Sequence, residues 1–250
     1  MANSRVANGY KAALAALLLI AGGPVTATAA ETVIIEDDFT TGKTAGLRRG
    51  GIFTEEGYQP TTTNGHILYQ LTEKLKNGYA EFVFKGMSKN ALPKGGDQGF
   101  LGMYDGRGID EPIKYLPEFK ENFFRWNVQF RKDKGIMKAV VSCASPRRAA
   151  EPYAVYEDGD RDWSKEPLGR AQSWDPKTWY TMKVEWRNKA FKVYVNGVLK
   201  WNSNGPYDYS PEDHRIWLGC APGVGTKYRN LIPTLVYKSF KLVRYDTAAE

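Results

Sequence analysis

The segment WYTMKVEWRNKAFKVYVNGVLKW, residues 179 to 201, limits the fold of this chain more than any other part of it. In its first half apolar and polar residues alternate, and the apolar ones share one parity: Tyr180, Met182, Val184 and Trp186. A period of two is typical of a β-strand with one buried face. A second alternating run ends at Asn196-Gly197, a dipeptide that favours the tight turn of a hairpin. The segment therefore predicts antiparallel strands with one face in a core and the other in solvent.

The same signals recur along the chain from residue 31 onward. Runs of aromatic and β-branched residues are separated by Gly, Pro, Asn and Asp, which favour turns. These runs predict at least nine strands, among them Thr32–Ile35, Ile67–Leu71, Ala80–Lys85, Phe123–Arg131, Met137–Ser142, Trp179–Arg187, Phe191–Val195, Arg215–Gly219 and Leu235–Arg244. The glycine-containing stretch 97–108 predicts a loop, either a mobile one over a groove or a plain surface loop. Many strands and almost no helix predict an all-β fold, a β-sandwich or jelly roll.

The first thirty residues have the three parts of a secretory signal peptide. Arg5 and Lys11 supply the positive start, an apolar run at 12–21 is too short to span a membrane, and small residues at 27–30 offer a cleavage site. The sequence has no cysteine at that site for a lipid anchor, and no second long apolar run. We therefore expect residues 1–30 to be removed and residues 31–250 to form one domain, a secreted or periplasmic monomer without membrane attachment.

The charge of the chain is modest. Removing Arg5 and Lys11 leaves 33 basic residues against 28 acidic ones. This excess favours an anionic partner such as a uronic-acid polysaccharide, whereas nucleic-acid binding usually shows denser basic clusters on a recognisable module. The two local clusters, Arg48-Arg49 and Arg147-Arg148, are interpreted as solvated loops.

The two cysteines, Cys143 and Cys220, lie in a chain that is predicted to reach an oxidising compartment. One disulfide between them would close a long loop and contribute roughly 2–4 kcal/mol. The alternative is a pair of buried thiols, and the sequence leaves both open.

Three segments carry a resemblance to a known superfamily. WDPKTWYTMKVEWRNKAFKVYVNGVLKW resembles the back-sheet hairpin of the concanavalin A-like lectin and glucanase superfamily, while EDDF and YKSFKLVRY resemble its paired terminal strands. The resemblance implies a jelly roll of two curved antiparallel sheets, with a glycan lying across the concave one. It also implies a structural calcium near the terminal strands, for which Asp37 and Asp38 are the candidate ligands.

The catalytic motifs of two groups in that superfamily do not fit this chain. Laminarinase-type glucanases carry Glu-x-Asp-x-x-Glu on a strand, because two close carboxylates must act as nucleophile and acid; the sequence has no such motif. Jelly-roll alginate lyases carry an Arg-x-Glu strand and a Gln-x-His strand. Here Gln129-Phe130-Arg131 has Arg in place of His. In place of Arg-x-Glu, the segment GYAEF offers Tyr79 and Glu81, and we predict that these two residues bind substrate.

The run FRWNVQFR, residues 124 to 131, suggests a chemistry. Its polar parity forms what we call the polar row: Arg125, Asn127, Gln129 and Arg131. Cutting a uronic-acid polymer by β-elimination requires a group that neutralises the sugar carboxylate, so that the α-proton becomes removable, and guanidinium and amide groups do this. We therefore predict a catalytic role for Gln129 and substrate binding by the other three. The alternative is a solvated strand.

A base must also take the α-proton, and an acid must protonate the leaving oxygen. His66 shares the parity of Leu68 and Gln70 and could reach the same sheet, whereas His214, in SPEDH, is interpreted as a turn residue. Tyr228 follows a Gly-rich loop that permits close approach of a substrate. His66 and Tyr228 are the predicted proton-transfer residues; an ordinary hydrogen-bonded histidine is the alternative for His66.

Three functions remain open at this point. The first is a polysaccharide lyase that acts on an acidic glycan, the second a non-catalytic lectin-like module, and the third a structural domain with an empty groove. The absence of a linker or second domain favours the enzyme.

Overall fold

A computed structural model describes residues 30–63, 65–87, 97–105, 124–131, 136–143, 154–156, 167–170, 173–188, 190–203, 214–219 and 231–246. The predicted signal peptide, residues 1–30, therefore lies almost entirely outside the described residues. Within these ranges no helix is both long enough and apolar enough to cross a membrane.

The described chain is built from fifteen strands and one 3₁₀ turn, Phe39–Thr41. In chain order the strands are β1 Glu31–Asp38, β2 Leu47–Arg49, β3 Gly51–Thr54, β4 Gly57–Pro60, β5 His66–Leu71, β6 Gly78–Lys85, β7 Asp97–Asp105, β8 Phe124–Arg131, β9 Ile136–Cys143, β10 Ala154–Tyr156, β11 Tyr180–Arg187, β12 Ala190–Val195, β13 Val198–Asn202, β14 His214–Gly219 and β15 Val236–Tyr245.

The strands form two antiparallel sheets. The eight-stranded sheet has the order β13-β12-β11-β6-β15-β4-β3, with β1 also paired to β15. The seven-stranded sheet has the order β10-β9-β8-β7-β14-β5-β2. All the pairings are antiparallel, and the two sheets share one hydrophobic core. The predicted all-β jelly roll of two curved antiparallel sheets is confirmed.

The predicted hairpin forms β11 and β12, with the predicted faces. The apolar parity of β11 is buried, including Met182 and Val184 at 0% exposure, while the polar parity is half-buried or exposed. Asn196 and Gly197 have φ of 50° and 76°, the left-handed values that this tight turn requires.

Aromatic contacts join the two sheets across the core. The Tyr69 ring of β5 stacks on Phe240 of β15, with the centroids 4.5 Å apart. Phe84 of β6 packs against Phe100 of β7 at 5.3 Å. Such pairs add to the free energy of apolar burial by about 0.5–1.5 kcal/mol each. These contacts hold the sheets face to face.

The predicted loop at 97–108 is wrong for residues 97–105, which form β7. The register of β7 against β8 shifts between Gly99 and Leu101, so Phe100 is the extra residue of a β-bulge. Phe100 and Leu101 are both buried in the core. Two glycines and the bulge interrupt the period-two alternation, and the strand is not recognisable from that pattern.

Two further interpretations are corrected. His214 is not a turn residue: it opens β14, is 1% exposed, and its ring lies 6.0 Å from that of Trp186 in the core. Burial lowers the pKa of His214 from 6.5 to about 3. Arg48 and Arg49 do not lie in a loop but in β2, at the edge of the seven-stranded sheet.

Candidate functional site

The outer face of the seven-stranded sheet, the side turned away from the core, is the candidate site. Ile67 and Tyr69 of β5, with Ile216 and Leu218 of β14, belong to the core cluster. Successive residues of a strand point to opposite faces, so the residues between them mark the outer face. Residues directly opposite each other on paired strands share a face, and this rule extends the outer face across the sheet.

Four transverse rows of outer-face positions follow from the register, and the shortest of them is Ile136, Arg131 and Asp97. In the upper row Arg125 of β8 is opposite Tyr104, Tyr104 is opposite Arg215, and Arg215 is opposite Gln70. The middle row consists of Val140, Asn127, Gly102, Trp217, Leu68 and Leu47. In the lower row Lys138 is opposite Gln129 and Gln129 opposite Gly99; Gly219, His66 and Arg49 continue it on β14, β5 and β2. The polar row thus occupies outer-face positions of β8.

The charges at these positions are nearly all of one sign. The described outer-face positions include five basic residues: Arg49, Arg125, Arg131, Lys138 and Arg215. Among the same positions one residue is acidic, Asp97, which is opposite Arg131 at the end of β7. A surface with this imbalance attracts anions.

The middle of this face is covered, and its β2 side is open. Trp217 is 1% exposed and Leu68 is 7% exposed. Leu47, at the β2 end of the middle row, is 53% exposed. Arg49 and Gln70 are also exposed, and Arg215 is half-buried. Among the outer-face residues whose exposure the structure describes, the accessible side chains lie on β2, β5 and β14.

The structure places His66 and Gln129 in the same row, but not next to each other. Two strands, β7 and β14, separate β5 from β8. Three strand spacings amount to roughly 14 Å, which is longer than one sugar residue. His66 is also buried, at 9% exposure. The two residues are therefore not brought together on one sugar.

Tyr79 and Glu81 lie on the other sheet. Both belong to β6, in the middle of the eight-stranded sheet, and alternate with the core residues Ala80 and Phe82. Their outer face is on the opposite side of the sandwich from the polar row. The structure therefore does not bring them together with Arg125 and its neighbours.

Tyr79 interacts with residues on the outer face of its own sheet. Its hydroxyl donates to Glu31 Oε2 at 3.2 Å, and Lys183 Nζ lies 3.8 Å from its ring centroid. Burial, with the nearby carboxylates, raises the pKa of Tyr79 to about 12. These contacts tie β1, β6 and β11 to one another.

Donors surround the Asp37 carboxylate. It accepts hydrogen bonds from Tyr69 Oη at 2.7 Å, from Thr44 Oγ1 at 2.6 Å and from the Ala45 amide at 3.1 Å. Asp38 accepts from the amide and hydroxyl of Thr40, and these bonds lower the pKa of its carboxyl. In the described ranges no three His, Cys, Asp or Glu side chains cluster as a metal site would require. A carboxylate that already accepts several donors fits a calcium ion poorly. Calcium at this place stays a prediction.

Two of the predicted residues lie outside the described residues: Tyr228 and Cys220. Cys143 ends β9, where its Cα is opposite Phe124 and Ala154. The predicted disulfide stays a prediction.

Four polar residues of this face were not predicted as site residues: Arg49, Gln70, Lys138 and Arg215. Gln70 and Arg215 have the outer parity of their strands, which the alternation in HILYQL and HRIWLG already contains. What the sequence does not contain is the pairing of β14 with β5 and β7, which puts Arg215 in one row with Arg125.

Comparison with solved structures supports the fold. The kappa-carrageenase from Zobellia galactanivorans superimposes with a TM-score of 0.52 at 11% identity, over 89% of this chain and 98% of that chain. The kappa-carrageenase from Pseudoalteromonas carrageenovora, in complex with an oligotetrasaccharide of kappa-carrageenan, gives 0.49 at 12% identity, over 92% and 99%. The laminarinase catalytic domain from Thermotoga maritima gives 0.41 at 15% identity, over 80% and 76%.

At these identities the likeness concerns the fold. It confirms the concanavalin A-like jelly roll that the hairpin and the terminal strands suggested. No family model matches the chain, and no curated protein matches it in sequence.

Proposed function

We propose that this protein is a secreted enzyme that processes an anionic polysaccharide on the outer face of the seven-stranded sheet. The observation that carries the proposal is the charge of that face, where five basic positions accompany one acidic position among those described. Guanidinium groups bind carboxylates and similar oxyanions by charge-assisted hydrogen bonds, often in pairs. A polymer with repeated anionic groups offers a partner for several of them at once.

Solved structures with the same fold support a carbohydrate ligand. The kappa-carrageenase of TM-score 0.52 acts on a polysaccharide, as its name states. Fold alone does not decide function, so this likeness supports the class of ligand and leaves the chemistry to the residues of this chain.

The proposed reaction is β-elimination at a uronic acid. Hydrolysis with retention would need two carboxylates on this face, and the described outer-face positions offer Asp97 alone. β-Elimination needs instead a cation or amide at the sugar carboxylate, together with a base. In this proposal Gln129 neutralises the carboxylate while Arg125, Asn127 and Arg131 hold the chain. The base takes the α-proton, the C–O bond to the leaving sugar breaks, an acid protonates that oxygen, and an unsaturated uronic end forms.

The base is proposed to be Tyr228. The base must take the α-proton of the same uronic acid whose carboxylate Gln129 neutralises. Because roughly 14 Å separates the backbones of β5 and β8, His66 lies too far from that sugar for this step. Tyr228→Phe should therefore abolish turnover and leave binding intact, whereas His66→Ala should retain turnover.

The test is to incubate the protein from residue 31 onward with glucuronan, alginate, ulvan, pectate, glycosaminoglycans and kappa-carrageenan. Two signals are followed, the ultraviolet absorbance of unsaturated uronic ends and the release of reducing ends. Both signals together, lost in Gln129→Ala and kept in Lys192→Ala on the opposite sheet, are the expected result. Reducing ends without absorbance would replace the lyase by a hydrolase. Binding without either signal would favour the lectin-like module, and no binding to any polymer would overturn the proposal.

A further inference from the structure

Trp179 lies on the outer face of the eight-stranded sheet, directly before β11. The next residue, Tyr180, belongs to the core cluster, so the Trp179 side chain points to the outer face, where it is half-buried. Two ammonium groups lie against its ring: Lys85 Nζ of β6 is 4.7 Å from the ring centroid and Lys238 Nζ of β15 is 5.8 Å from it. The face of an indole attracts cations at such distances. This indole is on the side of the sandwich opposite the polar row.

The two lysines approach the indole from one side only. Both belong to strands on the β6 side of β11, where the order is β11-β6-β15. On the other side β12 ends at Val195, opposite Met182, and the chain then turns at Asn196-Gly197. Among the described strands none therefore runs past Trp179 on that side. No atom beyond the adjacent residues lies within 4 Å of the place where a side chain at Gly197 would begin. The second face of the indole thus borders open surface.

The segment before Trp179 is fixed by its own hydrogen bonds. The Asp175 carboxylate accepts from the Lys177 amide at 3.0 Å and from Thr178 Oγ1 at 2.6 Å. The Asp175 amide in turn donates to Tyr180 Oη at 2.9 Å. An aromatic side chain on a backbone that is already ordered loses little conformational entropy when a ligand packs on it. The indole is therefore a pre-organised platform.

The charges around this indole balance one another. Three ammonium groups and three carboxylates lie at this end of the sheet, in the neighbouring pairs Lys85–Glu56, Lys238–Asp38 and Lys177–Asp175. Hydrogen bonds, and then the charge of the neighbouring lysine, lower the pKa of the Asp38 and Asp175 carboxyls. Because neither sign is in excess among these six groups, they do not favour an anionic polymer as the polar row does. Ammonium donors and carboxylate acceptors beside a ring suit the hydroxyl groups of a neutral sugar.

We propose that Trp179 is the centre of a binding site for a neutral polysaccharide, whose sugar rings stack on the indole beside the Asn196-Gly197 turn. The carbon-bound hydrogens of a pyranose ring form an apolar face that packs on an aromatic ring. The outer faces of the two sheets point in opposite directions, so a molecule anchored at Trp179 keeps its polar row turned outward. In this arrangement the protein holds a neutral component of a mixed matrix by one sheet and acts on an anionic component by the other. The binding at Trp179 is independent of the reaction proposed for the seven-stranded sheet.

Two substitutions test the site in different ways. Trp179→Ala removes the platform, and the affinity for a neutral glycan should fall about tenfold, as expected for the loss of one aromatic stacking contact. Gly197→Asn keeps the indole and places a side chain on the open surface beside it, and asparagine tolerates the φ of 76° at this position. A similar fall is expected, because the new side chain occupies the space of the sugar. Gly42→Asn is the matched control, since Gly42 has a φ of 74° and equally open surroundings.

The experiment titrates the protein from residue 31 onward with laminarin, xylan, mannan and cello-oligosaccharides, and measures dissociation constants by calorimetry. Wild type, Trp179→Ala, Gly197→Asn, Gly42→Asn and Gln129→Ala are compared, and thermal unfolding verifies that each is folded. If Trp179→Ala does not fold, Gly197→Asn alone decides. The expected result is wild-type binding of at least one of these glycans, insensitive to salt, weakened in Trp179→Ala and Gly197→Asn and unchanged in the other two variants.

Three results would overturn the site. The first is a wild type that binds none of these glycans, and the second is binding that Trp179→Ala and Gly197→Asn leave unchanged. The third is binding that is lost in Gln129→Ala and kept in Trp179→Ala, which would place the neutral glycan at the polar row. None of the three bears on the release of unsaturated uronic ends, so failure of this site and failure of the proposed function are distinguishable.

Discussion

The two outer faces of the sandwich differ in how their charged residues are arranged. On the eight-stranded sheet one transverse row reads Tyr194, Lys183, Glu81, Lys241 and Glu36, each residue directly opposite the next. In the neighbouring row Lys192 is opposite Glu185. On the seven-stranded sheet the rows contain arginine, lysine, histidine and amides, with one aspartate among the described positions.

This difference concerns the sign of the charges that share a face. Cross-strand neighbours of opposite charge stabilise a sheet, and on the eight-stranded sheet acidic and basic positions alternate across the strands. Positions of like charge on one face repel one another and attract anions from solution. The proposed function uses this excess of basic positions on the seven-stranded sheet.

The largest effect is expected from neutralising one face at a time. Arg125→Ala with Arg131→Ala removes two charge-assisted contacts of about 1.5 kcal/mol each, so the affinity for an anionic polysaccharide should fall roughly 100-fold. Lys192→Ala with Lys241→Ala, on the other sheet, should leave the affinity within a factor of two or so of the wild type. Affinity electrophoresis or calorimetry measures both. Equal losses in the two double variants would show that net charge alone drives binding and would remove the distinction between the faces.

The second effect is a pH dependence of stability, which we assign to His214 on the inner face of the seven-stranded sheet and not to His66 on its outer face. His214 is buried with a pKa lowered from 6.5 to about 3, so the unfolded chain takes up a proton below pH 6.5 while the folded chain does not. Stability is therefore lost as the pH falls through this window, by up to about 1.4 kcal/mol per pH unit from this group. His214→Gln should flatten the dependence relative to the wild type in urea unfolding from neutral to mildly acidic pH. A flattened profile in His66→Gln and an unchanged one in His214→Gln would contradict this assignment.

A third and smaller effect tests the hydrogen bond that joins the two sheets, from Tyr69 of β5 to Asp37 of β1. Tyr69→Phe deletes the hydroxyl that donates to Asp37 Oδ2 at 2.7 Å and leaves the stacked ring in place. The unfolding free energy should fall by about 1–3 kcal/mol, because a hydrogen bond to a charged group is lost. Binding should not change. Tyr194→Phe on the outer face of the eight-stranded sheet is the matched control. An equal loss of unfolding free energy in that variant would show that the hydrogen bond from Tyr69 to Asp37 stabilises the protein no more than any other tyrosine hydroxyl does.

The smallest effect concerns the row of alternating charges on the eight-stranded sheet, in which Glu81 lies between Lys183 and Lys241. Glu81→Gln removes the carboxylate opposite both Lys183 and Lys241. We expect a loss of about 0.2–1 kcal/mol in unfolding free energy, reduced at high salt, and no change in ligand affinity. Chemical denaturation at two ionic strengths measures it. A loss of affinity would instead restore Glu81 as a substrate-binding residue and make the two faces alike.

Much of this architecture was predictable from local pattern. All nine predicted strands are present, with ends that differ by a few residues, since alternation and turn residues are properties of the nearest neighbours in the chain. Short strands such as β2 and β3 were missed because three or four residues with glycine beside them show no period. The bulged strand β7 was missed for the same kind of reason.

The candidate site was predictable only in part. The polar row is visible in FRWNVQFR because all of it lies on one strand. Arg215 and Gln70 come into one row with it through the pairing of β14 with β5 and β7, segments more than a hundred residues apart in the chain. Tyr79 and Glu81 were grouped with the polar row because nothing local indicates to which of two sheets a strand belongs. Pairing between distant strands depends on the packing of the whole core.

The bulge at Phe100 also bears on how this chain could change in length. Gly99 and Gly102 are three residues apart, an odd number that would place them on opposite faces of a plain strand, yet the register puts both on the outer face. Removing Phe100 would delete the residue that the ladder does not pair, so every other residue of β7 would keep its face, at the expense of one core aromatic. Removing a paired residue inside β7 would turn one end of the strand over. Position 100 is thus where a one-residue deletion in this strand should be tolerated best.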